Sequence, residues 1–413
     1  MEWSRDGGEL ADVVRRQTQA CLSVYREDPS RITQDANNEL RIREGGYRDR
    51  QLIELLQNAV DAGGRRIEVR LADDTLYVAN DGKPFDARGI EALMASDLST
   101  KTDAHVDHIG RFGIGFKSVL AISPGPRVYS RSVSFTFDAG TARRRIEGAG
   151  FNSPSYPTMR VAEVVDPRVD KRGDKHLQDL MTWAATIVCL PLVSGAGDDL
   201  EVKIREMPGQ FLLFSPRVDW ARLYITGARQ EVDRMLTRVA MSPWQVRLSE
   251  NGERDDWLVL STRHRPSARA RAAAGRLADR ETVPVSWALP LERLGGLGAF
   301  WTYFPTEALT TLSGLVNAPW QVSDDRLNLL ETRFNHELLT EVLPKLLTDN
   351  LDKIHSPENP TRVLDLLPAR GRESRSWADE VVNEPMVSAA RSSACLPDLN
   401  GRLSLDPPTG SGS

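Results

Sequence analysis

The sequence predicts a mixed α/β fold in at least two domains, and three stretches predict it. Leu52–Asp61 carries apolar residues (Leu52, Ile53, Leu55, Leu56, Ala59, Val60) at helical spacing, which reads as a half-buried amphipathic helix. Arg66–Leu71 and Thr75–Ala79 alternate as strands around Asp73-Asp74, a two-residue turn. Gly110-Arg-Phe-Gly113-Ile114-Gly115-Phe116-Lys117-Ser118 then runs directly into a helical stretch, Val119–Ile122. At 413 residues the chain exceeds one ordinary core, so two or three domains are expected.

The composition, 40% apolar and 27% charged, is that of a globular chain. A net charge of −5 exerts no global pull toward nucleic acid or anionic membrane. Cys21, Cys189 and Cys395 are far apart, with no CxxC and no Cys/His cluster, so neither a zinc site nor a disulfide framework is expected. No apolar run approaches the roughly 20 residues that span a bilayer, and the N-terminus lacks a signal-peptide core. A reducing, cytoplasmic setting without membrane partners is the expectation. The terminal Gly-Ser-Gly-Ser reads as a linker or expression scar, consistent with the front part of a longer protein.

In chain order, residues 1–45 read as helix, and the pivotal helix as about Tyr47–Ala62, stopped by Gly63-Gly64. Glu54, Asn58 and Asp61 fall at i, i+4 and i+7, one stripe of that helix. A carboxylate one turn from an amide suits hydrolysis at a metal. The first can take a proton from water, and the second can offer oxygen to a hard cation. Asn80-Asp81-Gly82-Lys83-Pro84-Phe85 is a strand-end turn whose glycine permits close backbone approach and whose polar pair suits a base edge. Ser99-Thr100-Lys101, with His105 and His108, lies in a polar loop over 95–109. The glycines before a helix let backbone N–H groups converge on an anion, with Lys117 as a point charge.

Further on, Arg127–Phe137 reads as one long strand and Thr186–Leu192 as the strand that closes the first domain, 1–194. A linker signal lies at Ser194–Asp199. Gln210–Phe214, Ala221–Thr226, Gln245–Leu248, Asp256–Leu260, Val283–Leu289 and Ala299–Phe304 read as strands of a second α/β domain, 195–345. Arg263–Arg280 interrupts them with six arginines, one histidine and one acid, a solvated insertion or a nucleic-acid patch. Phe334–Ile354 reads as helix, and 346–413 as a mixed segment with little periodicity.

Taken in order, these stretches resemble the GHKL ATPase superfamily, whose members share the Bergerat ATP-binding fold. Glu54-Leu-Leu-Gln-Asn58-Ala-Val-Asp61-Ala is similar to its N-box, and Asn80-Asp81-Gly82-Lys-Pro-Phe to its adenine-binding turn. Gly110 to Ser118 resembles the phosphate segment of HtpG-type heat-shock chaperones, sacsin and MORC proteins, and Ser99-Thr100-Lys101 its lid trio. Thr186 matches a threonine that supports the adenine pocket. Phe300–Leu330 resembles the segment that brings a basic residue to the γ-phosphate, with Arg326 the best match and Arg333 the fallback. Residues 391–406 look like the start of a further sacsin-like segment. The family's turn is usually Asp-x-Gly-x-Gly; here Asn80 takes the aspartate's place and Pro84 that of the second glycine. Either Asn80 or Asp81 is then left to accept from the adenine amino group, with looser discrimination of the base.

The resemblance implies a Bergerat-type α/β sandwich that binds ATP, followed by a smaller α/β transducer-like domain. It implies Mg²⁺-dependent hydrolysis in which Asn58 helps hold Mg²⁺ and Glu54 activates water. The amides of Gly113, Ile114, Gly115 and Phe116, with Lys117, would cradle the phosphates, and Arg326 would arrive from the second domain. Chaperone-like remodelling of a protein client, with partner subunits or a nucleotide-dependent homodimer, is the expected output. The rival is a nucleic-acid-directed switch of the MORC or MutL kind acting through Arg263–Arg280; a nucleotide-gated scaffold without turnover is a third reading. A histidine kinase is disfavoured, since no phosphoacceptor-histidine helix precedes the site.

Overall fold

In a computed structural model the chain is a mixed α/β protein, described at residues 3–4, 8–44, 50–95, 114–228, 230–292, 296–323, 326–355, 362–367, 373–393, 396–397 and 403–404. It divides into two compact units, Met1–Pro208 with Arg217–Thr237, and Gly209–Pro216 with Arg238–Ser413. Among the described residues no helix is long and apolar enough to cross a membrane.

The first unit opens with α1 (Glu9–Glu27) and α2 (Ser30–Glu44), two helices where the sequence reading has one helical block. They part at Asp28-Pro29, where the proline biases the preceding residue away from helix. The pivotal helix is α3 (Gln51–Asp61), and its buried Leu52, Leu55, Leu56 and Ala59 follow the helical period. β1 (Arg66–Ala72) and β2 (Thr75–Asn80) form the expected hairpin, with Asp73 and Asp74 at φ 47° and 57°, the left-handed pair that a two-residue turn requires. α4 (Ala87–Met94), capped by the Asp86 carboxylate, and α5 (Ile114–Lys117), which continues as a 3₁₀ turn over Ser118–Ala121, follow.

Arg127–Phe137 is not one strand. Val133 O and Ser134 Oγ both accept from the Ser130 amide, at 3.2 and 3.3 Å, so the serines fold the run into a hairpin. Its arms are β3 (Arg127–Ser130) and β4 (Ser134–Phe137). After them come α6 (Ala139–Gly148), β5 (Ala162–Val164), α7 (Pro167–Asp170), α8 (Lys175–Leu180), β6 (Thr186–Pro191), α9 (Ala196–Glu206), β7 (Trp220–Thr226) and β8 (Val232–Ala240).

The strand order is β8-β7-β1-β2-β6-β3-β4-β5. All neighbours are antiparallel except β7 and β1, which run parallel in register from Arg66↔Trp220 to Ala72↔Thr226. That pairing carries Ala221–Thr226, read from sequence as part of the second domain, into the first unit. One face of β2, β6 and β3 packs Tyr77, Ala79, Ile187, Cys189 and Tyr129 against Leu177 and Leu180 of α8. No apolar residue of α3 belongs to that cluster; α3 packs on β1 and β2 from the other side.

In the second unit Gln210–Phe214 is a 3₁₀ helix (Gly209–Phe214) and not a strand. Phe211, Leu212, Leu213 and Phe214 are all buried, and a short continuous apolar run has no period with which to choose. The unit continues through β9 (Gln245–Glu250), β10 (Glu253–His264), α10 (Ala268–Ala272), β11 (Val283–Pro290), β12 (Gly298–Trp301), β13 (Pro305–Thr310) and β14 (Leu315–Asn317). The strand order is β13-β12-β14-β11-β10-β9. Phe334–Ile354 is broken into α11 (Arg333–Glu337), a π-helical turn over Leu338–Val342, α12 (Leu343–Thr348) and α13 (Leu351–Ile354). Pro344 lacks an N–H and its ring crowds the carbonyl four residues back, so the ladder slips ahead of it. α14 (Arg362–Leu366) and α15 (Trp377–Arg391) complete a core around Trp287, Phe300, Phe334 and Leu338.

Candidate functional site

Glu54 lies one turn into α3 and is only 6% exposed. What it faces is read from Gly115, the second residue of α5. A methyl group added to Gly115 would collide with a Glu54 carboxylate oxygen and stand 2.8 Å from its Cδ. The carboxylate therefore lies directly against the α5 backbone, an approach that only glycine permits. Asn58, one turn further along α3, and Asp61, at its end, are half-buried. Phe116 is buried, fixing α5 to the core, and the Ser118 hydroxyl donates to Gly115 O at 2.6 Å.

The second cluster comes from register. Asn80 pairs with Thr186, and Thr186 with Ser130, so three short polar side chains form a row across β2, β6 and β3. The row shares its sheet face with Val78, Val188 and Val128, opposite to the α8 core. Asn80 Oδ1 accepts the Gly82 amide at 3.0 Å. Thr186 Oγ1 and Ser130 Oγ are 3.1 Å apart, and Ser130 Oγ also accepts the Phe85 amide at 3.1 Å. Asp81 has a different occupation. Its Oδ1 accepts the Arg65 and Arg66 amides at 2.7 and 2.8 Å, tying the turn to the loop after α3. Gly64 and Gly82 make that junction, because a Cβ on Gly64 would meet Gly82 N at 2.6 Å.

Lys117 is buried, and its ammonium donates to Ala95 O at 2.7 Å, just beyond α4. The Arg160 guanidinium donates to Met94 O and, at 3.1 Å, to Asp35, which also accepts from Tyr25 at 2.9 Å. Two cations thus hold the end of the same helix. Glu39 accepts the Thr158 and Met159 amides at 2.7 and 2.8 Å. Burial pushes its carboxyl above the usual range, against the pull of those amides and of Lys117. The thiols of Cys21 and Cys189 are buried and unpaired by disulfide, and burial pushes Cys189 up to about 12, which makes it inert.

Ser99, Thr100, Lys101, His105, His108, Gly110 and Gly113 lie outside the described residues, while Ile114 opens α5. Arg326 belongs to the second unit; its amide donates to Ser323 O at 2.8 Å, the Ser323 amide donates to Asn328 O, and the φ of Arg326 is 57°. Arg333 is the first residue of α11, behind the Thr332 cap. The arginine run is no loose insertion: α10 turns Ala270 into the second core, and Ala274 follows it there. Arg263 donates to the Thr282 hydroxyl, Arg265 pairs with Glu281, and His264 lies 2.7 Å from Glu337. Among the described residues no three His, Cys, Asp or Glu side chains gather as a metal cluster.

Ser130, Glu39 and Arg160 escaped the sequence reading. Ser130 becomes visible only through a register spanning more than fifty residues, and nothing local marks the other two. Comparison with protein-family models and with curated proteins finds no match to this chain.

Proposed function

We propose that this chain binds ATP with Mg²⁺ on the α3 side of the first sheet and hydrolyses it, as the resemblance to Bergerat-fold ATPases implies. The observation that carries the reading is the packing of the Glu54 carboxylate against the Gly115 backbone. Two stretches sixty residues apart, each suggestive alone, supply a general base and a close-approach glycine to one place. In this reading Glu54 orients and deprotonates the attacking water. One neutral oxygen from Asn58, completed by phosphate oxygens and waters, fits the way Mg²⁺ is held in nucleotide sites. The bound cation would neutralise charge on the phosphates. The amides of Ile114, Gly115 and Phe116 would face the phosphates, and Lys117 would exchange the Ala95 carbonyl for a phosphate oxygen.

Asn80 and Thr186 would face the edge of the base, while the Asp81 carboxylate holds the turn through the Arg65 and Arg66 amides. Asn80 is therefore the base-reading residue of the pair. Arg326 would stabilise charge that develops on the transferred phosphoryl group. The output is a nucleotide-driven change of shape, used in chaperone-like remodelling of a protein client. Glu54→Ala should leave Mg-ATP affinity within about threefold while hydrolysis falls by a hundredfold or more, because the substitution removes a base and leaves the phosphate contacts. Calorimetry and single-turnover hydrolysis measure the two. Unchanged hydrolysis in Glu54→Ala refutes the mechanism.

A further inference from the structure

In the row Asn80–Thr186–Ser130, every polar group that would meet a base can serve as donor or acceptor. The Gly82 N–H can point only at an oxygen, so the 3.0 Å bond fixes which end of the Asn80 amide is Oδ1. That oxygen has two lone pairs and spends one on Gly82. Nδ2 makes no hydrogen bond among the described residues and keeps its two protons for a ligand. Thr186 is equally ambivalent. Its hydroxyl can give its proton to Ser130 and offer lone pairs outward, or take the Ser130 proton and donate outward. Ser130 can serve either way, because its oxygen already accepts the Phe85 amide while its proton can turn toward Thr186, toward Ser132 or toward Ala185 O at 3.4 Å.

A carboxylate in place of Asn80 would offer acceptors alone at neutral pH. It would welcome the amino group at position 6 of adenine and repel a carbonyl there. The amide lacks that bias. Its Oδ1 can accept from a 6-amino group and its Nδ2 can donate to a 6-oxo group. We infer that Asn80 makes the site tolerant of both 6-amino and 6-oxo purine triphosphates, so that GTP and ITP are ligands alongside ATP. This inference rests on the nucleotide reading above and specifies its substrate class.

The test uses the full chain and calorimetric titration with Mg-ATP and Mg-GTP. Tolerance predicts affinities within about tenfold of each other. Asn80→Asp, nearly equal in volume, should weaken Mg-GTP by roughly ten- to a hundredfold relative to Mg-ATP, the cost of one buried group left facing its like. A wild-type preference for ATP above a hundredfold overturns the inference while leaving the ATPase reading intact. So does an Asn80→Asp variant that binds ATP but shows the wild-type ratio. If neither triphosphate binds the wild-type chain, the nucleotide reading itself fails, and the inference with it. Because the wild-type ratio is itself diagnostic, an Asn80→Asp variant that does not fold leaves the proposal open to refutation.

Discussion

If the proposed ATPase reading holds, Gly115→Ala should silence hydrolysis without unfolding the protein, and the contact geometry says why. The new methyl would stand 2.8 Å from Glu54 Cδ, where ordinary contact begins near 3.4 Å. The carboxyl carbon must therefore retreat by about 0.6 Å, and its nearer oxygen by more, since repulsion rises steeply below contact distance. A displacement near 1 Å of a positioned catalytic group costs roughly a hundredfold in rate. The stability cost is small, because what moves is the end of a flexible side chain, and alanine in a helix gains up to about 1 kcal/mol over glycine. Gly82→Ala is the contrasting control. Its methyl would meet backbone, Ala62 O at 2.5 Å and Gly64 N at 2.8 Å, and neither can swing away. That variant should lose roughly 2–3 kcal/mol of stability. Single-turnover hydrolysis at saturating Mg-ATP, beside chemical denaturation, reads both effects. A Gly115→Ala variant that turns over at the wild-type rate would show that Glu54 does not act from this position.

Two further outcomes are expected. Arg326 holds a left-handed backbone that glycine adopts freely. Arg326→Gly should therefore keep or gain about 1 kcal/mol of stability, yet slow hydrolysis tenfold or more if the guanidinium meets the transferred phosphoryl group; equal turnover would make it an ordinary turn residue. Arg222 grips Asp233 through two bonds of 2.7 Å and holds its carboxyl below the usual range. A depressed folded-state pKa stabilises above the unfolded value, near 4, and the gain is lost as pH falls through the folded value. The denaturation midpoints of wild type and Asp233→Asn should differ at pH 7 and draw together as pH falls below about 4; a constant gap refutes the linkage.

Much of the first unit was legible because its signals are local. The helical period over Leu52–Val60 needs nine residues to read, and Asp73-Asp74 announces its own turn. What escaped was long-range or cryptic. Thr186 was named only through the family resemblance, and Ser130 joins it beside Asn80 only through strand register, which no local window contains. Arg127–Phe137 alternates well enough to pass as a strand, and the serine hydroxyls that fold it are ordinary strand residues until their partners are known. α15 buries Ala378, Val382, Met386 and Ala390 at strict four-residue spacing in a stretch that read as mixed, with Pro385 inside it. In the candidate site, the residue types were readable, but the division of labour between Asn80 and Asp81 was not. It depends on where the Arg65 and Arg66 amides point.

The parallel pairing of β1 with β7 also bears on how the chain is made. β1 is complete at Ala72, but the strand that covers its far edge ends at Thr226. While some 150 residues are being synthesised, an open edge rich in Ile67, Val69 and Leu71 waits for its neighbour. Such edges recruit other strands, and pairings this distant in sequence close slowly. A nascent chain stalled between β2 and β7 would be the stage most exposed to aggregation and most dependent on holding factors at the ribosome. A fragment cut at Ser194 would carry that vulnerability permanently, whereas one ending after Thr237 would keep the edge covered.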